Sequence, residues 1–366
     1  MYSGGNYSVA SSILTTKNYF IGTGTCLPTS QWPSLSADAT VGNVTIAGGS
    51  VIIPTNKTLS IAGSVNGTLT AQDNSTIAFV GSDDQTLSDA ATFSNVTIAQ
   101  TARGKKIIAP NGITVNGLAT FGTGVVSGDV SFGASASATV SDYGSYVDGA
   151  VTKTLGSSVF IFPTGSNGVL GSVAVPATRA AGSATIRFNR SASEHGYTTE
   201  EGYPRWWNIN DMCSEDGTNR FDHVSNAEYW DITTTAALEN VTFRAVAATD
   251  VHFNDTSINE YNPDVIKFAL YNGCWKNVEG SASVDGSHSN LSVANVTIPA
   301  TGRTPYKGTF GSLDDNTLLP IELTSFTANC DGRSSLIEWT TATERNNYYF
   351  SIERSDDAIN FTEIVR

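Results

Sequence analysis

Asn43-Val-Thr-Ile46 returns as Asn95-Val-Thr-Ile98, an offset of 52, and its surroundings return with it. Ile52-Ile-Pro54 answers Ile107-Ile-Ala-Pro110, and Val65-Asn-Gly-Thr-Leu-Thr70 answers Val115-Asn-Gly-Leu-Ala-Thr120. Thr76-Ile-Ala-Phe79 corresponds to Asp129-Val-Ser-Phe132, with 53 positions between the two phenylalanines. Each unit holds several short strands divided by Gly, Asn or Pro turns. Short strands with periodic turns predict a β-solenoid over residues 41–149, in which each coil buries its apolar face against the next.

On the C-terminal side the pattern changes. Between residues 150 and 315 aromatics cluster and the strand-like segments lengthen, as in Val159-Phe-Ile-Phe, Ser183-Ala-Thr-Ile-Arg-Phe, Glu228-Tyr-Trp-Asp-Ile, Val241-Thr-Phe-Arg-Ala-Val and Val265-Ile-Lys-Phe-Ala-Leu-Tyr. These predict an antiparallel β-sandwich. Residues 319–366 then alternate strictly. Ile321 and Leu323, Ile337 and Trp339, and Tyr348, Phe350 and Ile352 each share a face, with Phe361 to Val365 as a fourth strand. A fibronectin- or immunoglobulin-like sandwich takes about seven strands over roughly 100 residues, so this stretch is expected to be incomplete, a fragment or a borrower of strands. The fold expected is therefore all-β: solenoid, sandwich, and a partial second sandwich.

Leu319-Pro-Ile-Glu-Leu-Thr-Ser-Phe-Thr-Ala and Leu336-Ile-Glu-Trp-Thr-Thr-Ala-Thr-Glu-Arg-Asn-Asn-Tyr-Tyr-Phe-Ser-Ile-Glu-Arg-Ser-Asp-Asp resemble a module of large secreted surface proteins of Bacteroidota. In those proteins the module precedes a C-terminal sorting domain read by the type IX secretion system. The Phe-Ile-Phe-Pro-Thr-Gly, Arg-Trp-Trp-Asn-Ile, Glu-Tyr-Trp-Asp-Ile and Leu-Tyr-Asn-Gly-Cys-Trp segments, in that order, resemble the domain before it. The resemblance implies an extracellular or outer cell-surface location more than an activity.

Composition points the same way. Charged residues make up 15% of the 366, against roughly 25% in ordinary soluble domains, and no segment carries a convincing helical stripe. A net charge of −14 disfavours nucleic acid as a partner. No run is long and apolar enough to span a bilayer, and the first residues do not read as a signal peptide. Asn-X-Ser/Thr triplets such as Asn43, Asn66 and Asn95 are what chance gives in a chain this rich in Asn, Ser and Thr.

Chemistry-bearing residues are sparse. A glycosidase needs two facing carboxylates and a lyase a base near acidic metal ligands, but the solenoid's Asp73, Asp83, Asp84, Asp89 and Asp129 do not recur at one coil position. Asp83 and Asp84 read as a solvated turn rather than a calcium site. His195, His223, His252 and His288 are scattered and no Gly-X-Ser-X-Gly elbow occurs, so no catalytic residue, metal or cofactor is expected and the chain is read as not an enzyme. Of four cysteines, Cys213 and Cys274 share a domain and are the first candidate disulfide, with packed free thiols as the alternative. Trp206, Trp207, Trp230 and Trp275 could line a carbohydrate-binding platform, although large aromatics in a sandwich are more often core; alternation sends Trp206 and Trp207 to opposite faces, so one of that pair is a candidate exposed aromatic contact.

Residues 1–40 are read as an extended segment, and Tyr7 to Ile21 within it as a strand with no evident partner. An unpaired strand at one end and an open sandwich at the other suggest strand addition between copies, which does not close and so makes filaments. The expected function is a secreted structural or adhesive surface protein, with self-association into a filament or sheath. A carbohydrate-binding adhesin with glycan partners, or a β-helix polysaccharide enzyme, is the alternative.

Overall fold

The computed structural model describes residues 8–9, 19–21, 34–35, 37–46, 50–141, 143–177, 181–190, 213, 221, 223–225, 228–246, 264, 266–284, 290–301, 304–313, 323–330, 335–341, 352–355 and 362–365. The fold is all-β, opening with a β-solenoid.

Three parallel ladders form the solenoid. One stacks Ser34–Leu35, Val51–Ile53 and Leu69–Ala71, and resumes as Ala91–Phe93, Ile113–Val115, Val130–Phe132 and Val151–Thr154. The second stacks Ala39–Val41, Thr58–Ile61, Thr76–Phe79, Asn95–Ala99, the start of Leu118–Ser127, and Ser137–Val140. Val44–Ile46, Val65–Asn66, Gln85–Thr86, Lys106–Ile108, the end of Leu118–Ser127 and Ser145–Asp148 make the third. Strand alternation sends apolar residues inward, so like stacks on like: Val41, Ile61, Phe79, Ile98 and Phe121 form one buried file.

This geometry revises the 52-residue unit. Val44–Ile46 lies on the third ladder whereas Asn95–Ala99 lies on the second, so the two Asn-Val-Thr-Ile segments never stack. Coils are much shorter: Ile113 stacks on Val130, 17 positions on, and Val96 on Ala119, 23 positions on. The sequence repeats by strand and turn, because every face asks for the same inward apolar residues and the same corner chemistry.

That corner chemistry is specific. Asn43 Oδ1 accepts from Ser64 N at 2.7 Å and Asn95 Oδ1 from Leu118 N at 2.8 Å. Asp38, Asp84 and Asp129 accept likewise from the N–H groups of Thr58, Lys106 and Ala150, at 2.8, 2.9 and 2.9 Å. In each case the acceptor stands at the start of a strand and the donor is the residue stacked on it in the next coil. A short acceptor side chain there satisfies a corner N–H that no ladder reaches.

The N-terminal segment is not an unpartnered strand. Ser8–Val9 pairs in parallel with Ser34–Leu35, and Tyr19–Ile21 with Val44–Ile46, so both extend ladders of the same chain. The unsatisfied edge of the first coils supplies the partner that the sequence did not reveal.

Nor does the solenoid stop at residue 149. Val151–Thr154 is bonded in parallel to Val130–Phe132 on one side and antiparallel to Ser183–Arg190 on the other. From there the same ten-stranded sheet continues through Glu228–Thr234, Tyr306–Ser312, Ile266–Tyr271 and Trp275–Asn277. A six-stranded sheet built on Val169–Val175, Leu238–Val246 and Asn290–Ile298 packs against it to complete the sandwich. Phe188 and Phe310 pack on Trp230, and Trp230 and Phe268 meet Phe243 between the sheets, with Trp230 and Phe243 ring centroids 5.3 Å apart. Gly171 permits the close approach: a Cβ there would lie 2.1 Å from the Phe188 ring, and its carbonyl accepts from Trp230 Nε1 at 2.9 Å. One buried apolar cluster runs from Leu35 to Phe310, through solenoid and sandwich alike.

Leu323–Cys330 pairs with Ser335–Thr341, and Ile352–Arg354 with Thr362–Val365, as two separate hairpins. A lone two-stranded hairpin is marginal in water. Phe326 and Leu336 are 60% and 58% exposed.

Candidate functional surface

The outer face of the ten-stranded sheet carries an aligned set of polar side chains. Register alone builds its first feature. Thr92, Thr114, Ser131, Thr152, Thr185 and Thr233 stand side by side on successive strands, each at the outward position between two buried neighbours. Strands lie about 4.8 Å apart, so this is a regular file of hydroxyls running from solenoid to sandwich. Thr152 Oγ1 and Thr185 Oγ1 are 2.9 Å apart, a hydrogen bond across the junction.

A charged row flanks the file on the sandwich. Arg187 faces Asp231, Asp231 faces Lys307, and Lys307 faces Tyr271. Both Asp231 oxygens are engaged: Lys307 Nζ lies 2.9 Å from Oδ1 and Asn189 Nδ2 donates to Oδ2 at 2.9 Å. The Lys307 ammonium also sits 4.4 Å from the centre of the Tyr229 ring. Side chains of Asp231 and Lys307 are 31% and 29% exposed, enough for solvent to screen the pair. Fixed hydroxyls, a half-buried ion pair and tyrosine rings can hold polyhydroxylated or polar surfaces, yet they bring no nucleophile and base together.

Cys213 and Cys274 are joined in a disulfide, with Cα atoms 5.1 Å apart. Cys213 N also donates to Trp275 O at 2.9 Å, and Trp275 is buried with Phe221, Val224 and Ala269 in a small cluster of its own. Trp230 and Trp275 are therefore packing residues, each almost wholly buried. Trp206 and Trp207 lie outside the described residues, as do His195, His252 and His288. His223 begins the short strand His223–Val224.

The acidic turn is structural in its contacts. Asp84 caps Lys106 N, and Asp83 lies 3.6 Å from Lys105 Nζ at an exposed position. Among the described residues no three His, Cys, Asp or Glu side chains gather as a metal-binding group. No described helix is long and apolar enough to cross a membrane. The corner acceptors were the residues that sequence reasoning missed; the recurring Asn, Asp or Ser just before each Val/Ile-rich segment was the available signal.

No family model, no curated protein and no solved structure matches this chain.

Proposed function

We propose that this chain is a non-catalytic structural or adhesive module of an extracellular surface protein, in which the solenoid is a stiff spacer and the sandwich and hairpins make contacts. The observation that carries this reading is the unbroken passage of the parallel ladder, through Val151–Thr154, into the antiparallel sandwich. A spacer must transmit force, and a continuous hydrogen-bonded sheet over one core does so. The disulfide and the likeness of residues 319–366 to Bacteroidota surface modules support an extracellular address.

Assembly enters in one form. The N-terminal strands are paired within the chain, so they are not the donor; a second copy would pair instead along the exposed hairpin that carries Phe326 and Leu336. Light scattering of the intact chain against its Phe326→Ser and Leu336→Ser double variant tests this. Concentration-dependent association that the double variant loses is expected. A wild-type chain that stays monomeric throughout overturns the assembly, and cleavage of neutral or acidic polysaccharides, with or without calcium, overturns the non-catalytic reading.

Glycan binding is the second reading, favoured by the hydroxyl file beside Arg187, Asp231 and Tyr229. A glycan array with Arg187→Ala as the control decides it.

A further inference from the structure

Five Asn-Gly pairs occur: Asn66-Gly67, Asn111-Gly112, Asn116-Gly117, Asn167-Gly168 and Asn272-Gly273. This dipeptide can modify itself. The glycine nitrogen, having lost its proton to water or hydroxide, attacks Cγ of the asparagine side chain. The new N–C bond closes a five-membered succinimide and the amide nitrogen leaves as ammonia. Water then opens either carbonyl, leaving aspartate or isoaspartate. No enzyme, oxidant or metal is needed, so the fold decides which pair reacts by what it does with the glycine N–H.

Four of the five nitrogens are held. Gly67 N donates to Ser88 Oγ at 3.1 Å, and Gly112 N to Ala109 O at 3.0 Å. Gly117 N donates to Ser94 O at 2.7 Å, and Gly168 N to Tyr146 Oη at 2.9 Å. Two of the asparagine amides are tied as well: Asn111 Nδ2 donates to Ser88 O at 2.7 Å and Asn167 Nδ2 to Arg190 O at 2.6 Å. Stacking adds a further lock, since Gly67 and Gly117 lie so close to the coil beneath that a Cβ would sit 2.5 Å from Ile46 O and 2.5 Å from Asn95 Oδ1. A backbone held there cannot turn its nitrogen onto the side chain without opening a coil.

Asn272-Gly273 shares a hairpin tip, exposure and an open left-handed glycine with Asn167-Gly168, and differs from all four pairs in its hydrogen bonds. It forms the tip of the hairpin between Tyr271 and Trp275, and both residues are exposed. Gly273 has φ of 92°, with nothing within 4 Å of where a Cβ would be. Its N–H has no partner among the described residues; at the tip Asn272 N donates to Cys274 O at 3.2 Å. We propose that Asn272 is the site of spontaneous deamidation in the folded protein, and that the fold protects the other four Asn-Gly pairs.

The product would matter locally. A new carboxylate appears two residues from the disulfide-bonded Cys274, and an isoaspartyl linkage adds a methylene to the backbone of the three-residue tip that sets Tyr271 opposite Trp275. The site would record the age of a long-lived surface protein in a hairpin joined to the segment that carries Cys213.

Peptide mapping by mass spectrometry after incubation in mildly alkaline buffer tests the proposal on the intact chain, folded and in denaturant. In the folded protein conversion at Asn272 is expected to outpace each other Asn-Gly pair by about tenfold or more, the effect of one retained hydrogen bond plus local opening. In denaturant the five should react at similar rates. Asn272→Gln should remove the fast phase of ammonia release without changing the rest. Equal conversion of all five in the folded chain, or a faster reaction at any of the protected four, overturns the proposal.

Discussion

Lys153 occupies a place in the apolar file Phe93, Val115, Phe132, Lys153, Ala184 and is only 3% exposed. Its aliphatic stem fills the file while the ammonium turns back to the Gly133 and Ala134 carbonyls, the latter at 2.7 Å, with the Phe160 ring centre 5.1 Å away. Burial pulls its pKa below the ordinary lysine value. Burial therefore makes the charged form costlier in the folded state than in the unfolded chain. The cost of the buried charge is fully present below the folded pKa, and is relieved as pH rises from there toward the unfolded value of about 10.4. Lys153→Met keeps the stem and removes the charge, so at neutral pH it should leave stability unchanged or raise it by about 1 kcal/mol. Lys153→Ala should cost about 2–3 kcal/mol by emptying the site. Thermal melts across pH check the sign: wild type should gain on the Met variant as pH rises into the lysine range. A gap that widens in favour of the Met variant would contradict the assignment.

The strands themselves were legible, and the reason is local. Val41, Ile61 and Ile98 face inward because each stands one step from a polar neighbour, and that alternation can be read without any partner. Which ladder a strand joins was not legible, since all three faces make the same demand; the offset of 52 was a likeness of corners, with Asn43 and Asn95 each capping the coil above. The hydroxyl file was hidden for the same reason, because Thr92 and Thr233 become neighbours in one row only through register. Asn290–Ile298 and Tyr306–Ser312 went unread as strands although both are interior strands of the two sandwich sheets. The hairpin Ile266–Tyr271/Trp275–Asn277 sits at the rim of its sheet, where the disulfide and a bond from Cys213 N to Trp275 O tie Cys213 to it. Closing a loop of 61 positions restricts the unfolded chain by about 4 kcal/mol in the chain-entropy account. Reduction, or Cys213→Ser, should lower Tm by several degrees and expose Trp275 to a fluorescence quencher; an unchanged melt with Trp275 still shielded would show that packing alone holds the rim.

Solenoids often unfold as a series of loosely coupled repeats, and a sandwich attached by a linker would melt on its own. Here neither separation is available to the chain. Val151–Thr154 is at once the last rung of the parallel stack and the first of the antiparallel one, so it has hydrogen-bond partners on both sides. Beneath it Val151 is fully buried, and Val147 and Phe162 join the same cluster as Phe188 and Trp230. Tyr146, itself a rung of the third ladder beside Val125, braces the corner with its hydroxyl, which accepts from Gly168 N at 2.9 Å; desolvation by burial raises its pKa, so the phenol stays neutral in that contact. Opening the sandwich would strip partners from the last coil, and unwinding that coil would leave Ser183–Arg190 as an exposed edge over an open core. Solenoid and sandwich should therefore melt together, giving one calorimetric transition for residues 34–312. Thr152→Pro places a residue without an N–H, and with fixed φ, in the central rung. It should lower that single transition rather than split it, with sandwich tryptophan fluorescence and far-ultraviolet dichroism still changing in step. Two resolved transitions in the wild type, one tracking the Trp230 core and one the coils, would show that the shared rung does not couple them.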